Sequence, residues 1–288
     1  MDQMYARAMP QSWTEADARH ATSTRVAGED LRRRILTRAV EIAVIPELLR
    51  RYRVTPGSLA IVRAQVQELA GLVLNDDERA AIAYITRLQV QGAATDTLCL
   101  DLLAPAARAL GTMWEDDACD FTQVTIGLAR LQSAMRALAP IEIVPETAAP
   151  RVVLVPLPGE THSFGLSMVY EFFRRAGWNA WTGSVDSPAA LRTLVASRSI
   201  AVLGFSMACD ERMAEARTQI AAVRRASLNP AIAIMVGGPG FTADPTLAAA
   251  VGADATATDG HNAVLQATAL LAQAERRIGR VKEGRSRP

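Results

Sequence analysis

Short apolar runs alternate with amphipathic stretches along the C-terminal half of the chain. The apolar runs predict five strands, over residues 152–157, 179–183, 200–205, 231–236 and 253–256. Between them, apolar residues spaced three or four apart predict five helices, near 164–176, 187–198, 210–228, 242–250 and 261–278. Five β/α units of this kind predict an α/β domain, a parallel sheet with helices on both faces.

The N-terminal half shows helical periodicity throughout. Apolar residues at three-to-four spacing predict helices over residues 31–52, 59–73, 78–91, 95–114 and 121–138. Capping signals precede two of them, Thr55 with Pro56 in one case and the stretch 75–78, Asn-Asp-Asp-Glu, in the other, and the last helix follows Asp120. Pro46 and Pro105 fall inside predicted helices and are expected to kink or break them. This half is therefore predicted to be a bundle of four or five helices.

Composition suggests where these regions begin and end. Residues 1–28 are polar and are expected to be mobile or to depend on a partner. Prolines without a helical pattern mark residues 139–150 as a linker between the helical cap, 29–138, and the α/β domain, 151–278. Residues 279–288 are expected to form a basic, disordered tail.

Composition also narrows the classes of function. The chain has 288 residues, 50% of them hydrophobic, and a net charge of +1, which favours neither a nucleic-acid surface nor an acidic ligand channel. Cys99, Cys119 and Cys209 lack metal-binding spacing, as is typical of a reducing cytoplasm. No signal peptide is recognisable, and no apolar run approaches the roughly 18 residues of a membrane span. A soluble cytoplasmic protein without a membrane partner is expected.

The sequence offers little for enzyme catalysis. With three histidines in all, and none near a plausible nucleophile, a Ser-His-Asp triad is not expected. The glycine-rich stretch 237–240 lacks the Lys-Ser/Thr of a phosphate-binding P-loop. Neither of these two catalytic motifs is therefore predicted.

One histidine stands on a loop where a ligand is expected. In a parallel α/β sheet, ligands bind outside the carboxyl ends of the strands, where the strand order reverses. His162 follows the first predicted strand, Ser206 the third, and Gly237 with Gly238 the fourth. An imidazole there can bind a metal, since it suits cobalt and iron alike. These residues also have ordinary structural explanations. His162 would be a loop histidine bonded to a neighbour, Ser206 a small residue packed at a strand end, and the two glycines part of a turn.

The spacing of these elements resembles the cobalamin-binding signature, which is Asp-x-His-x-x-Gly followed by Ser-x-Leu and then Gly-Gly. The resemblance covers about residues 150–278 and implies a Rossmann-like, flavodoxin-type cobalamin-binding domain. It implies that the cofactor is bound by the loop after the first strand and by the ends of the third and fourth strands, through Glu160, Thr161, His162, Ser163, Phe164, Gly165, Ser206, Ala208, Gly237 and Gly238.

The resemblance also implies individual roles. His162 binds cobalt as the lower axial ligand in place of the cofactor's benzimidazole, whose tail then lies between the sheet and its helices. Glu160 accepts a hydrogen bond from that imidazole, which orients the ring and raises its basicity. Ser206 supports the buried tail. Two positions depart from the family pattern. Glu160 replaces Asp and is one methylene longer, so that the hydrogen bond is indirect or the loop is shifted; an exposed loop acid without this role is the alternative. Ala208 replaces Leu, which loosens the tail slot.

The helical half resembles, over residues 102–117, the helical cap of cobalamin light sensors and methionine-synthase-type modules. In those caps a tryptophan, here Trp114, covers the upper face of the corrin ring, and Glu-His follows nine residues later. Val124 and Thr125 occupy those two positions here, so the upper ligand is expected to be handled differently. Packing of Trp114 in the core at a helix end is the alternative.

The upper axial position therefore needs another donor. His20 lies in the N-terminal segment, and a His162–metal–His20 arrangement is a hypothesis. His261 is expected to begin the last helix, nearer the tail slot than the upper face. Because Val124 and Thr125 leave room for a small upper ligand, the hydroxo or aquo form of cobalamin is favoured.

A cap with Trp but without Glu-His, a Glu-x-His-x-x-Gly loop, and no DNA-binding module ahead of the cap together resemble the AerR/PpaA family, over about residues 30–278. The resemblance implies a cobalamin-binding regulator of photosynthesis genes in purple bacteria. The resemblance implies an antirepressor rather than an enzyme, one that binds a PpsR/CrtJ-type repressor and contacts DNA only indirectly. It also implies a link to light, because photolysis of an alkyl-cobalamin leaves the hydroxo or aquo form.

Two other classes of function stay open. One is a haem-binding redox or oxygen sensor on the same scaffold, with His162 bound to iron. The other is a corrinoid carrier protein for methyl transfer, against which the altered loop acid and the missing methyl-donor domain count. The absorption spectrum of the purified protein separates haem from corrin.

Overall fold

The computed structural model of this protein describes residues 60–285 except for 76–77, 139–148, 161–163, 186 and 208–211. Contacts divide the described residues into two compact units, a helical unit over 60–138 and an α/β unit from 149 onwards. The predicted N-terminal segment, the first predicted helix with Pro46, and most of the predicted linker lie outside the described residues.

The helical unit consists of four helical elements in its described part. They are α1 (Arg63–Leu74), α2 (Glu78–Val90), α3, which joins the segments Thr95–Thr97, Leu98–Leu103 and Ala104–Glu115, and α4 (Phe121–Ala137). Each helix turns an apolar face inward, as the periodicity predicts. The buried face of α2 is formed by Ala81, Tyr84, Ile85 and Leu88.

Two helix ends follow directly from the sequence. Gly92 comes just after α2 with a φ of 99°, a conformation that favours glycine. Asp120 precedes α4, and its carboxylate accepts a 2.8 Å hydrogen bond from the backbone N–H of Gln123. The Gln123 side chain accepts a 2.9 Å bond from the N–H of Asp120 in return. This capping box fixes the start of α4 where the sequence predicts it.

Pro105 does not break α3, in contrast to one of the two outcomes expected for it. The segment before it widens into a π-helix over Leu98–Leu103, and the N–H of Ala104 bonds to the carbonyl of Cys99. Proline has no N–H, and its ring crowds the carbonyl four residues earlier. The wider π turn accommodates the ring, so that the helix continues to Glu115.

The α/β unit confirms the predicted fold class. Its five parallel strands have the order β2-β1-β3-β4-β5, with the bounds β1 Arg151–Pro156, β2 Asn179–Thr182, β3 Val202–Ser206, β4 Ala233–Gly237 and β5 Ala255–Thr256. Its helices are α5 (Phe164–Arg175), α6 (Pro188–Ser197), α7 (Met213–Ala226), α8 (Pro239–Ala243), α9 (Thr246–Ala250) and α10 (Gly260–Arg285). This is the Rossmann-like, flavodoxin-type order, which reverses between β1 and β3.

Helices cover both faces of the sheet. Val153 and Leu203 share one core with buried residues of α6 and α7. On the other face, α5 and α10 pack against each other and against the strands. A Cβ on Gly260, at the start of α10, would lie 2.5 Å from the Phe172 ring of α5, so these helices are in close contact. Strands buried on both faces have continuous apolar sequences, which explains why their positions are predictable to within one or two residues.

Two helix predictions in this unit are wrong in extent. The single helix expected over 242–250 is divided into α8 and α9, because the Asp244 carboxylate closes a turn onto Thr246. It accepts bonds of 2.9 Å from the N–H and 2.6 Å from the hydroxyl of that residue. The last helix, expected to end at 278, continues to Arg285, so the predicted disordered tail is helical up to that residue.

Candidate functional site

The strand register brings three of the predicted elements into one row. Pro156 at the end of β1 pairs with Ser206 at the end of β3, and Ser206 pairs with Gly237 at the end of β4. The loops that leave these strands therefore start side by side at the carboxyl edge of the sheet. The order reverses between β1 and β3, so this edge is where an α/β sheet of this type binds ligands.

The loop after β1 is held by main-chain hydrogen bonds. The N–H of Leu157 donates to the carbonyl of Ser206 over 2.9 Å, which extends the β1–β3 pairing beyond the strand. The N–H of Glu160 donates to the carbonyl of Leu157 over 2.8 Å and closes a turn. Gly159 in this turn has a φ of 84°, which a residue with a side chain rarely adopts. The turn thus leads in a defined direction towards the predicted histidine.

Several predicted site residues lie outside the described residues, and their roles stay predictions: His20, Thr161, His162, Ser163 and Ala208. Glu160 is described and is half-buried. It also has an interaction partner, so it is not a freely exposed loop acid. Ser206 is half-buried at the end of β3, within the row described above.

Gly237 ends β4 and Gly238 follows it, and the structure constrains these two glycines differently. Gly238 has a φ of 135°, and a Cβ there would lie 1.8 Å from the carbonyl oxygen of Met207. The N–H of Met207 also donates to the carbonyl of Gly237 over 3.0 Å, so the two loops touch through their backbones. A Cβ on Gly237, in contrast, meets no described atom within 4 Å. Protein packing therefore requires Gly238, whereas no described atom requires a glycine at Gly237.

The start of α5 is likewise free of close contacts with described atoms. Phe164 is half-buried and Gly165 is exposed. A Cβ on Gly165 would meet no described atom within 4 Å. The lack of a side chain at Gly165 and Gly237 thus lets a bulky ligand approach the backbone at both places.

Thr256, which the sequence analysis did not select, places a polar atom at the same edge. It pairs with Val236, the residue before Gly237. Its hydroxyl oxygen is buried and has no hydrogen-bond partner within the described structure. A buried hydroxyl without a partner is unfavourable, so this atom suits a polar group of a ligand. In the sequence, its position at the end of the last predicted strand was the available signal.

These features fit the cofactor that the sequence resemblance implies. A large ligand with a long polar tail needs an open approach to the backbone, which Gly165 and Gly237 provide. It also needs polar partners among mostly apolar walls, and the buried hydroxyl of Thr256 is a candidate for that role. An imidazole donor is present in the sequence as His162.

In the helical unit, the predicted cap residue is exposed. Trp114 is 50% accessible near the end of α3, so core packing does not account for it. Phe121, which sequence reasoning missed, is 65% accessible at the start of α4. Val124 is half-buried, and the hydroxyl of Thr125 donates to the carbonyl of Phe121 over 2.8 Å. Large exposed aromatic side chains of this kind are candidates for contact with a ligand or a partner.

His261 has a packing role. It is 4% accessible and lies edge-on to Phe172 of α5, with the ring centroids 6.4 Å apart. Within the described part of the chain, no group of three or more His, Cys, Asp or Glu residues is arranged to hold a metal ion. The same residues include no helix with the length and apolar character needed to cross a membrane.

Comparison with known proteins agrees with the reading of the α/β unit. The family model described as B12 binding domain matches residues 150–267. This match covers the five strands and the helices of the α/β unit up to the first part of α10, and it supports a cobalamin-binding domain there. It leaves the helical unit outside the matched region.

One curated relative and two solved structures are similar to parts of the chain. The relative is an uncharacterized 20.5 kDa protein in the bchF-crtJ intergenic region of Rhodobacter capsulatus, 36% identical over 75 residues, 25% of this chain and 39% of the relative. The chain thus matches about two fifths of that relative's length. The monomethylamine corrinoid protein of Methanosarcina barkeri has a TM-score of 0.60 at 17% identity and covers 72% of this chain and 99% of its own. A novel cobalamin-binding protein from Desulfitobacterium hafniense DCB-2 has a TM-score of 0.39 at 17% identity, with 72% and 97% covered.

Proposed function

We propose that this chain is a cobalamin-binding transcriptional regulator, a light-linked antirepressor that binds a PpsR/CrtJ-type repressor. The main observation in support of cobalamin binding is the row of Pro156, Ser206 and Gly237, which lies where the strand order of the sheet reverses. That row lies inside the region that matches the B12 binding domain. The relative's name, which refers to the bchF-crtJ intergenic region, supports a CrtJ-type partner.

The residues at the carboxyl edge would divide the work of binding. His162 would bind cobalt from below, and Glu160 would orient its imidazole. The hydroxyl groups of Ser206 and Thr256 would meet polar groups of the tail, and Gly237 would leave room for it. When bound, cobalamin supplies a cobalt centre whose bond to an upper carbon ligand is cleaved by light.

The helical unit would make the protein respond to the upper ligand. We expect Trp114 to cover the upper face, where Val124 and Thr125 leave space for a hydroxo or aquo ligand. His20 stays the candidate for direct upper ligation. A cofactor state shifts the equilibrium between two conformers only by its differential affinity for them, about 1.4 kcal/mol for each factor of ten. Repressor binding would follow the conformer that the photolysed form prefers.

The histidines of the chain provide a matched test of cofactor binding. The full chain is mixed with hydroxocobalamin in the dark, desalted, and its visible spectrum is recorded beside those of His162→Ala, His20→Ala and His261→Gln. We expect the corrin bands to stay with the wild type, to be lost or shifted in the His162 variant, and to be unchanged in the His261 variant. A shift with His20→Ala would support upper ligation by His20. Retention of haemin with a Soret band, and not of cobalamin, would contradict the proposal.

The regulatory role needs its own assay. A PpsR/CrtJ-type repressor is bound to its operator, and the chain is added with methylcobalamin before or after illumination. We expect illumination to increase release of the repressor from DNA. In the absence of the repressor, we expect the chain not to bind the operator. Release that ignores both cofactor and light would argue against an antirepressor. Transfer of the cofactor's methyl group to a thiol acceptor would support the corrinoid carrier instead.

A further inference from the structure

The loop before the predicted histidine is tied to a distant part of the sequence by an arginine. Arg212 lies just ahead of α7, in the connection that follows β3. Its Nη2 donates to the carbonyl of Pro158 in the loop after β1. The same guanidinium donates to Glu215 in the first turn of α7, through Nε over 3.0 Å and Nη2 over 2.7 Å. One side chain thus joins two of the loops at the carboxyl edge of the sheet.

The guanidinium lies against the tight turn of that loop. A Cβ on Gly159 would lie 3.5 Å from Nη2 of Arg212, which is ordinary van der Waals contact. The turn is closed from inside by the bond from the N–H of Glu160 to the carbonyl of Leu157. The turn is therefore held by its own main-chain hydrogen bond and also by the side chain of Arg212.

The chemistry of arginine suits this double contact. Its planar guanidinium presents several N–H donors in a fixed fork, so one edge can meet the Glu215 carboxylate while a further N–H reaches the Pro158 carbonyl. The pair is only partly exposed, with 25% accessibility for the Arg212 side chain and 38% for that of Glu215. Water therefore screens the ion pair in part, and we expect it to matter more for loop geometry than for the stability of the fold.

We propose that Arg212 is a positioning residue for the cofactor site. By holding the Pro158 carbonyl, it fixes the turn of Leu157–Glu160 in the arrangement that cobalamin binds. The proposal rests on the proposed function, since it takes cobalamin as the ligand of this edge. Outer contacts of this type orient the groups that bind a metal centre, and their loss typically lowers affinity by about 10- to 100-fold.

The chain contains a matched control for this arginine. Arg224 lies on the same helix, α7, and also combines an ion pair with a carbonyl contact. Its Nη2 meets the Asp254 carboxylate over 2.8 Å and the Gly252 carbonyl over 2.9 Å. These contacts precede β5 and so lie at the amino edge of the sheet, away from the candidate site. The side-chain accessibilities, 37% and 34%, are similar to those of the first pair.

The test compares Arg212→Met with Arg224→Met in the full chain, because methionine keeps an apolar stem but removes the donors. Three quantities are measured: the Kd for hydroxocobalamin, the thermal midpoint, and hydrogen exchange at the amides of Leu157 and Glu160 without cofactor. We expect Arg212→Met to raise the Kd about 10-fold or more and to speed exchange at these amides. We expect Arg224→Met to lower the thermal midpoint at least as much but to leave the Kd unchanged.

A conservative variant and a spectrum separate positioning from general stability. Arg212→Lys keeps one donor that can meet the Pro158 carbonyl, so we expect it to recover part of the affinity. Bound methylcobalamin should show a larger fraction without a nitrogen lower ligand in Arg212→Met than in the wild type. A Kd of Arg212→Met within twofold of the wild type, or an equal loss of affinity with Arg224→Met, would overturn the role of Arg212. Cobalamin binding by the wild type would be unaffected by that result. Failure of the wild type itself to retain cobalamin would overturn the proposed function and this inference together.

Discussion

The two units of the chain mark their candidate residues in different ways. In the α/β unit, the parallel register alone places Pro156, Ser206 and Gly237 side by side at one edge. The location of a site there follows from topology. In the helical unit, Trp114 and Phe121 stand out because they are exposed while the buried helix faces are filled with other residues. The packing of the helical unit therefore identifies an exposed aromatic surface but does not indicate which ligand or partner binds to it.

The units also tolerate change differently near these residues. A Cβ on Gly127 of α4 would lie 3.0 Å from a methyl group of Leu110, a side chain that can move. A Cβ on Gly238 would lie 1.8 Å from a backbone oxygen, which cannot move alone. Gly238 at the edge of the sheet is therefore more sensitive to an added methyl group than Gly127 in the interior of the helical unit.

The largest effect is expected from Gly238→Ala. The φ of 135° at this position is nearly restricted to glycine, and the new Cβ would overlap the Met207 carbonyl. Backbone strain of about 1–3 kcal/mol and forced shifts of similar size add up, so we expect a loss of about 3 kcal/mol or more. Urea unfolding followed by the fluorescence of buried Trp178 and Trp181 measures it.

Gly237→Ala is the control for that variant. A Cβ on Gly237 meets no described atom, so the free energy of unfolding should change by less than about 1 kcal/mol. The added methyl group would instead point into the space that we assign to the cofactor and should weaken retention of cobalamin. If both variants lost stability equally and cobalamin binding were unchanged, the glycine pair would serve the turn alone.

The fold of the α/β unit could be predicted because its signals are local. Strands such as β1 and β3 are buried on both faces and appear as uninterrupted apolar runs. The candidate edge then follows from the rule for parallel sheets and needs no side-chain detail. In the helical unit, the spacing of apolar residues after Asp120 located α4, and the structure adds that Asp120 caps it.

The remaining features depend on contacts between residues distant in sequence. The link from Arg212 to Pro158 spans two β/α units, and no local pattern encodes it. The Thr256 hydroxyl is without a hydrogen-bond partner among the described residues because of the neighbours that the fold gives it. Pro105 was expected to kink or break its helix, but the π-helical segment before it, Leu98–Leu103, accommodates the proline ring. Sequence periodicity contains none of these facts.

A smaller effect, of opposite sign, is expected from Thr256→Val. Valine has nearly the same shape but lacks the buried hydroxyl that has no described partner. Removing an unsatisfied buried polar group should stabilise the α/β unit by about 1 kcal/mol. The affinity for cobalamin should fall at the same time, because the tail loses a polar contact. A destabilised variant with normal affinity would show that the hydroxyl already has a partner within the protein.

The smallest effect on stability is expected from Trp114→Ala in the helical unit. Half of this side chain is exposed, so we expect the free energy of unfolding to fall by less than about 1 kcal/mol. Leu110→Ala on the same helix is the control, because Leu110 is fully buried and its truncation should cost about 2–5 kcal/mol. If Trp114 covers the cofactor, its variant should change the spectrum and photolysis rate of bound methylcobalamin, whereas Leu110→Ala should change stability alone. An unchanged spectrum with Trp114→Ala would remove Trp114 from the residues that contact the cofactor and would assign this exposed surface to another partner.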